Sequence, residues 1–170
     1  MKTIKAKPIS YGGKRSRKEV KFIVIHYTGT DGDTAENCGN YFANGNTRTA
    51  GAHFFIGQNG TIIKSIALNK IAWSVGGGKY TDCKTTGGGK LYGIVNNTNS
   101  VSIELCDNMY VDPSPDQIKS VIKCIKYIRR YCPNAKTVVR HFDVTGKHCP
   151  ARMIDDTKWK RFLVAIHERS

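Results

Sequence analysis

The chain has 170 residues, of which 24% are charged, with a formal net charge of +14 at pH 7 and six cysteines. This length suits one domain whose core needs no disulfide bonds, and no run of about 18 apolar residues is present to span a membrane. The basic start of the chain lacks the apolar stretch of a signal peptide. The cysteines form no CxxC pair and suggest no disulfide framework, so we expect reduced and mostly buried thiols, made in a cytoplasm.

The positive charge indicates a polyanionic partner or environment. Nucleic acid, anionic lipid headgroups and the phosphate polymers of Gram-positive cell walls all carry the required negative charge. A surface that only keeps the protein in solution would explain the same composition.

The chain begins with a basic arm and a buried strand. Residues 1–20 show no periodic pattern and predict an irregular arm. Residues 21–28 are rich in Ile and Val, which is typical of a strand buried on both faces, and His26 lies near the C-terminal end of this strand. A helix is predicted over about residues 34–44, because its apolar side chains have helical spacing.

The middle of the chain predicts a hairpin and a long loop. Residues 52–57 and 61–66 are two strands joined by Gln58-Asn59-Gly60, a strong turn signal. Residues 74–98 are rich in glycine and asparagine and predict a surface loop. Loops of this length in compact domains are often functional, although a flexible insertion without a role remains an alternative.

The C-terminal half predicts two further strands, each followed by a helix. The strands are 100–106 and 137–140; one helix starts within residues 113–116 and runs to about residue 131, and the other spans 156–168. Together with the preceding elements, the order βαββ, loop, βαβα predicts an α/β single domain with a central mixed β-sheet flanked by helices.

Two histidines and one cysteine form a candidate metal site. His26 and His141 each end a predicted strand, and strand ends meet at one rim of a sheet. Cys149 follows in the pentapeptide Gly146-Lys147-His148-Cys149-Pro150. One histidine beside a strand is usually a satisfied polar residue, but two histidines with a cysteine favour a metal. This donor set can hold one zinc ion and leave a fourth position for water, as catalytic zinc sites do.

Glu104 and Lys147 are candidates for catalysis. Glu104 lies between apolar neighbours on the predicted strand 100–106, where a carboxylate is costly unless it is paired or functional. Near zinc-bound water it would act first as general base and then as general acid. An exposed sheet face would also accommodate it. Lys147 could stabilise a developing oxyanion, although a basic chain has many lysines without such a role.

His53 and Trp73 are candidates for substrate binding. His53 lies on a predicted strand, where it could line the cleft or donate a hydrogen bond to a residue that holds the metal. Trp73 could offer a flat wall to a sugar or a peptide, and it could equally belong to the core.

Five short motifs occur in the order seen in zinc-dependent N-acetylmuramoyl-L-alanine amidases, the amidase-2 family. This family includes phage endolysins, bacterial autolysins, the T7 lysozyme type and peptidoglycan recognition proteins. Each motif alone is weak, but together they are highly specific and span roughly residues 20–165. The motifs are Phe22–Thr28, Ala52-His53-Phe54, Ala72-Trp73, Ser102–Leu105, and Arg140-His141 through Pro150.

The resemblance implies an α/β fold with a zinc at the sheet rim, held by His26, His141 and Cys149. It also implies cleavage of the amide bond between the lactyl group of N-acetylmuramic acid and the L-alanine of the stem peptide. The basic residues 1–20 would then be an N-terminal arm, and residues 21–170 the amidase catalytic domain.

Two branches of the family differ in their catalytic residues. One branch has a tyrosine immediately before the position of His53, where this chain has Ala52. The other branch, which includes many endolysins of Gram-positive phages, has a glutamate and a lysine at the positions of Glu104 and Lys147. The resemblance therefore implies catalytic roles for these two residues.

The resemblance also implies partners and a place of action. Peptidoglycan would be the substrate, anionic cell-wall polymers would attract the basic chain, and neither specific nucleic-acid binding nor membrane insertion is expected. The lack of a signal peptide fits an endolysin made in the cytoplasm, which reaches the cell wall through a holin-type pore or on lysis.

Three other functions compete with this interpretation. A non-catalytic peptidoglycan-recognition protein is the main alternative, but such proteins often lack the cysteine ligand, and Cys149 is present. A nucleic-acid-binding protein would explain the charge, yet the lysines are spread along the chain and no known binding motif occurs. A zinc deaminase would need a Cys-x-x-Cys pair, which is absent.

Overall fold

The computed structural model describes residues 1–167, which form eight strands and five α-helices. The strands are β1 (Lys2–Thr3), β2 (Tyr11–Lys14), β3 (Phe22–Tyr27), β4 (Phe54–Ile56), β5 (Ile62–Lys64), β6 (Lys70–Ala72), β7 (Ser100–Leu105) and β8 (Thr137–Arg140). The helices are α1 (Ala35–Asn40), α2 (Cys83–Thr86), α3 (Pro115–Tyr131), α4 (His141–Thr145) and α5 (Asp156–His167).

Six of the strands form one mixed sheet in the order β1-β5-β4-β7-β3-β8. Strand β3 pairs in parallel with β7 on one side and with β8 on the other. Strands β4 and β5 form the predicted antiparallel hairpin, and β4 pairs in parallel with β7. The separate pair β2–β6 is antiparallel. The predicted α/β fold with a mixed central sheet is therefore confirmed.

Helices cover both faces of the sheet. Side chains along each strand point alternately to the two faces, and this decides which helix each of them contacts. One face of β7 carries Val101, Ile103 and Leu105, which are fully buried against helices α3 and α5. The other face of the sheet packs on α1, where Cys38 and Cys106 belong to a second apolar cluster. Because the period along a strand is two, the residues between the core positions of β7 face the opposite side.

The structure differs from the sequence prediction mainly at short elements. Residues 1–20 are not irregular, because β1 extends the main sheet and β2 pairs with β6. The predicted helix over 34–44 ends as α1 at Asn40 and continues as a π-helical turn, Tyr41–Gly45. Strand β6 and helices α2 and α4 were not predicted, because segments of three to five residues show no recognisable period.

Helix α5 was predicted to end at Glu168, a position that lies outside the described residues. Within residues 1–167, no helix is both long enough and apolar enough to cross a bilayer. All six cysteines are buried with free thiols, as expected.

Arg15 ties the N-terminal segment to the rest of the domain. Its side chain was predicted to belong to a basic arm but is only 7% exposed. Nη1 donates to the carbonyl oxygens of Asn97, Thr98 and Ser100, each at 2.7 Å, and Nε donates to the carbonyl oxygen of Leu68 at 3.2 Å. A planar guanidinium presents five donors in a rigid fork, whereas a lysine ammonium is a compact charge with three rotatable donors and cannot reach all of these acceptors from one position. Arg15 therefore acts as a structural clamp.

Arg15→Lys should lower the free energy of unfolding by about 2–4 kcal/mol, because several buried carbonyls lose their donor while a charge stays buried. Urea unfolding followed by circular dichroism measures this change. Arg17→Lys is the matched control, since Arg17 is exposed, and it should change stability by less than about 0.5 kcal/mol. Equal unfolding midpoints for the two variants would contradict the structural role of Arg15.

Candidate metal centre and cleft

Three polar residues stand side by side at the C-terminal rim of the sheet. In the β3–β7 register, His26 lies opposite Glu104, and in the β3–β8 register, Ile25 lies opposite Arg140. His141 follows Arg140 at once, so it emerges beside His26. The two imidazole rings are 4.6 Å apart between centroids. Parallel pairing thus brings together the residues that the sequence predicted to converge.

A short turn folds Cys149 back onto these histidines. Gly146 caps the C-terminus of helix α4; its φ of 86° favours glycine, and a Cβ there would collide with the Cys83 sulfur. The carbonyl oxygen of Cys149 then accepts a 2.8 Å hydrogen bond from the backbone N–H of Phe142. As a result, the Cys149 sulfur lies 3.8 Å from His26 Nδ1.

Arg140 fixes the same turn from behind. Its guanidinium is buried, contacts the Asp143 carboxylate at 2.7 Å and donates to the carbonyl oxygen of Met153 at 2.9 Å. These contacts join the first turn of α4 to the segment after Cys149. Hydrogen bonds before and after the loop that carries Cys149 therefore hold the candidate metal ligands in place.

The three predicted ligands are buried and chemically ready for a cation. Burial lowers the pKa of His26 well below its usual range and that of His141 to about 4, so both imidazoles are neutral at pH 7. Burial also raises the pKa of the Cys149 thiol, which stays protonated unless a metal ion stabilises the thiolate. Nε2 of His26 and Nε2 of His141 are buried without a hydrogen-bond partner among the described residues.

This donor set fits zinc. One ligand atom from each of the three residues lies within 4.8 Å of the others, and among the described residues no other group of His, Cys, Asp or Glu meets this test. Tetrahedral zinc needs its nitrogen and sulfur ligands about 3.6 Å apart, which small side-chain rotations can supply. His26, His141 and Cys149 are therefore the residues that could hold the ion.

Glu104 presents an unpartnered carboxylate oxygen beside this cluster. Its Oε2 is buried and has no hydrogen-bond partner within residues 1–167. Burial raises the pKa of Glu104 to about 8, while the positive charge of Lys147 acts in the opposite direction. A carboxyl group whose pKa lies near neutrality can both accept and return a proton.

A cavity of ≈ 590 Å³ opens over the site. The cavity is lined by the three predicted ligands and also by Glu104, Lys147 and Trp73. Lys147 is exposed at the rim, and its charge contributes to lowering the pKa of both histidines. Trp73 is half-buried and lines the cavity wall rather than the core of the sheet.

The structure does not place His53 at the cleft. Its side chain is fully buried and lines neither the cavity above nor a second cavity next to it. Arg15 Nη2 lies 3.0 Å from Nε2 of His53, and Ser102 Oγ lies 3.1 Å from Nδ1. Burial, followed by the charge of Arg15, lowers the pKa of His53 to about 3. His53 is thus a neutral structural residue that links three segments of the chain.

Sequence reasoning missed several residues of the cleft. Thr28, whose buried hydroxyl oxygen has no partner among the described residues, lies two positions after His26, so the strand period could have indicated it. Arg48 brings a positive charge to the cavity from a loop that folds around the buried side chain of Asn46. Nothing in the sequence pattern pointed to Arg48.

Comparison with known sequences finds relatives of one kind. Residues 16–152 match the amidase-2 family, described as N-acetylmuramoyl-L-alanine amidase. The chain is 25% identical over 152 residues to N-acetylmuramoyl-L-alanine amidase XlyB of Bacillus subtilis (strain 168), covering 87% of this chain and 42% of XlyB. It is 30% identical over 146 residues to N-acetylmuramoyl-L-alanine amidase CwlL of Bacillus licheniformis, covering 81% of this chain and 38% of CwlL. The chain thus spans less than half the length of these relatives.

Comparison with solved structures finds the same fold. PlyL superposes with a TM-score of 0.72 at 23% identity, over 98% of this chain and 96% of PlyL. The catalytic domain of XlyA superposes with a TM-score of 0.70 at 23% identity, over 97% of both chains. At these identities, the similarity concerns the fold.

Cys149→Ser should lose most of its zinc on dialysis, because a hydroxyl replaces the thiolate donor. Metal analysis of the dialysed protein measures the zinc content, and cobalt substitution should show a thiolate absorption band in the wild type only. Cys124→Ser is the control, since Cys124 lies on α3 and is buried in the core away from the site. It should cost stability but leave the zinc of the folded protein in place. Unchanged zinc in Cys149→Ser would remove this residue from the site.

Proposed function

The chain belongs to the N-acetylmuramoyl-L-alanine amidase family, and we propose that it is a zinc-dependent hydrolase of peptidoglycan. The bond cleaved is the amide between N-acetylmuramic acid and the L-alanine of the stem peptide. One observation carries the proposal: Glu104 on β7, His26 on β3 and His141 directly after β8 lie side by side at one rim of the sheet, and Cys149 folds back onto them beneath an open cavity.

Three side chains would bind the metal ion. His26, His141 and Cys149 offer two neutral nitrogens and one sulfur, a donor set suited to zinc. Zinc held there would lower the pKa of a water molecule and polarise the scissile carbonyl. The three ligands come from β3, the start of α4 and the loop after it, and all three line the cavity, where a substrate can reach them.

Glu104 moves the proton in this mechanism. Its unpartnered Oε2 accepts a proton from the water that attacks the amide carbonyl. The same oxygen then returns the proton to the departing L-alanine nitrogen. Because burial raises the pKa of Glu104 to about 8, both the ionised form that the first step uses and the protonated form that the second step uses are accessible near neutral pH.

Lys147 stabilises the charge that develops on the carbonyl oxygen. It lines the cavity next to His141, and its charge affects the pKa of both Glu104 and His141. An ammonium already in place lowers the energy of the tetrahedral state without reorganising at the moment of reaction. Trp73 on the same cavity wall provides a surface against which the substrate rests.

The charge of +14 supports action on the cell wall of Gram-positive bacteria. Anionic polymers in such walls would concentrate a basic enzyme near its substrate, with no need for specific nucleic-acid binding or membrane insertion.

We also propose that the hydrolytic site belongs to residues 21–170, with residues 1–20 as a supporting arm.

The function is tested by product analysis after incubation with purified Gram-positive peptidoglycan, with and without a zinc chelator. We expect new N-terminal L-alanine, no new reducing sugar ends, and loss of both the product and the zinc with the chelator. Binding to peptidoglycan without any released amine would instead support a recognition protein.

The same assay tests the role of Glu104. Glu104→Gln should keep its zinc and lose about 10²–10⁴-fold in kcat, because it can no longer transfer the proton. Glu36→Gln is the matched control, since Glu36 lines neither cavity, and it should retain wild-type turnover. Wild-type turnover in Glu104→Gln would end the proposed role.

Retention on purified cell walls tests the role of the charge. Using Glu104→Gln to avoid digestion, we expect the bound fraction to fall as salt rises, because salt screens exposed charges. Walls stripped chemically of their anionic polymers should retain less protein at low salt. Equal retention on both kinds of wall would exclude these polymers as partners.

A further inference from the structure

Two of the six buried cysteines lie in contact at the wall of the cavity over the metal centre. The sulfurs of Cys38 on α1 and Cys106, the residue after β7, are 3.7 Å apart. Of the other four, Cys149 belongs to the candidate metal centre, and the sulfur of Cys83 contacts the backbone of Thr145. Among residues 1–167, no second pair of cysteine sulfurs makes such a contact. The pair has no part in the proposed hydrolysis.

Close packing of α1 on the sheet brings these two sulfurs together. Gly39 follows Cys38, and a Cβ there would come within 2.8 Å of the Ile63 side chain on β5, so glycine lets the helix approach the sheet closely. On the opposite side, the carbonyl oxygen of Cys106 accepts a 3.0 Å hydrogen bond from Gln117 Nε2. The backbone of each cysteine is therefore held in place without help from the sulfurs.

Hydrogen bonds give the two thiols different roles. The Cys38 thiol donates to Asp33 Oδ2 at 3.0 Å, because an ionised carboxylate only accepts. The Cys106 thiol is then the donor to the Cys38 sulfur. Cys38 and Asp33 also line the cavity, whereas Cys106 is fully buried behind them. A small molecule in the cavity therefore meets the Cys38 sulfur first, beside a carboxylate that can take its proton.

Both groups stay thiols in reducing surroundings. The hydrogen bond with Cys106, followed by burial, raises the pKa of Cys38, so the reactive thiolate is scarce at neutral pH. Because only 6% of Cys38 is exposed, its sulfur is closed to bulky disulfides. Hydrogen peroxide is little larger than water and can reach it through the cavity.

We propose that Cys38 and Cys106 are a redox site, which a small peroxide converts into a disulfide bond. The Cys38 sulfur attacks one peroxide oxygen, the O–O bond breaks, and the thiol proton passes by way of Asp33 to the departing hydroxide, which leaves as water. The Cys106 sulfur then attacks the sulfenic acid at Cys38, and the displaced hydroxyl group takes the Cys106 proton and leaves as a second water. The two thiols lose two electrons, and the peroxide gains them.

The disulfide bond would tie the cavity wall to the strand that carries Glu104. The two sulfurs have to approach by less than about 2 Å to form a bond, which side-chain rotation can supply. The bond joins residues 68 positions apart, and a cross-link over such a distance strongly restricts the unfolded chain. Oxidation would therefore stabilise the domain without using any of the three candidate metal ligands. This inference does not depend on the proposed function.

The test compares the reduced protein with the same protein after treatment with hydrogen peroxide. Oxidation should remove two thiols, and peptide mapping should find Cys38 joined to Cys106. The Tm should rise by about 5–15 °C, and dithiothreitol should reverse the rise. The comparison is always made within one variant, so a change in the stability of the reduced protein does not affect it.

Two variants make the test specific. Cys106→Ser should show no rise in Tm with peroxide and should accumulate sulfenic acid at Cys38, seen as one added oxygen by mass spectrometry. Cys124→Ser is the matched control, since Cys124 is buried in the core and its sulfur contacts no other cysteine among the described residues. It should show the same rise as the wild type. A cross-link between other cysteines, retention of every thiol, or an equal rise in Cys106→Ser would overturn the inference.

Discussion

The parallel pairing of β3 between β7 and β8 is the constraint on which the site depends. It aligns the C-terminal ends of three strands, so that Glu104, His26 and His141 meet although they are distant in sequence. The register is set by the core, because Val101, Ile103 and Leu105 must face α3 and α5. A slip of one residue would turn the apolar side chains of β7 away from the helices and Glu104 into the core. Burial of the core thus positions the polar residues.

The site combines this rigid support with unsatisfied polar atoms. Buried nitrogens of two histidines, a carboxylate oxygen and the hydroxyl oxygen of Thr28 have no partner among the described residues, although each such group costs about 1–3 kcal/mol. Only three other buried side-chain atoms of the described residues lack a partner, on Ser65, Asn108 and Gln117, and none of these residues lines the cavity. The clustering of the first four atoms in one cavity suits groups that a metal ion and a substrate complete. The protein thus loses some stability at the positions where function needs polar atoms that are free to bind a metal ion or a substrate.

Local patterns in the sequence predicted the centre of this structure well. Strong strand patterns predicted that His26 and His141 end strands and that Glu104 lies on a third strand, and the spacing of apolar residues predicted α3 and α5. Two-residue strands such as β1 carry no period, so they depend on tertiary contacts that a sequence pattern does not contain. His53 and Arg15 were misjudged for the same reason. Their partners lie tens of residues away, and a buried arginine looks like any other member of a basic cluster.

The segments that looked irregular in the sequence build the walls of the cleft. Gly12 supports the indole of Trp73, and Arg15 holds the backbone of Asn97, whose side chain in turn holds the residues after Trp73. The arm and the glycine-rich loop are thereby coupled through one asparagine. The central sheet fixes the reacting groups, while these outer segments shape the space beside them. Changes in the outer segments can therefore alter what the cleft binds without moving the metal ligands, which is how one fold can serve different substrates.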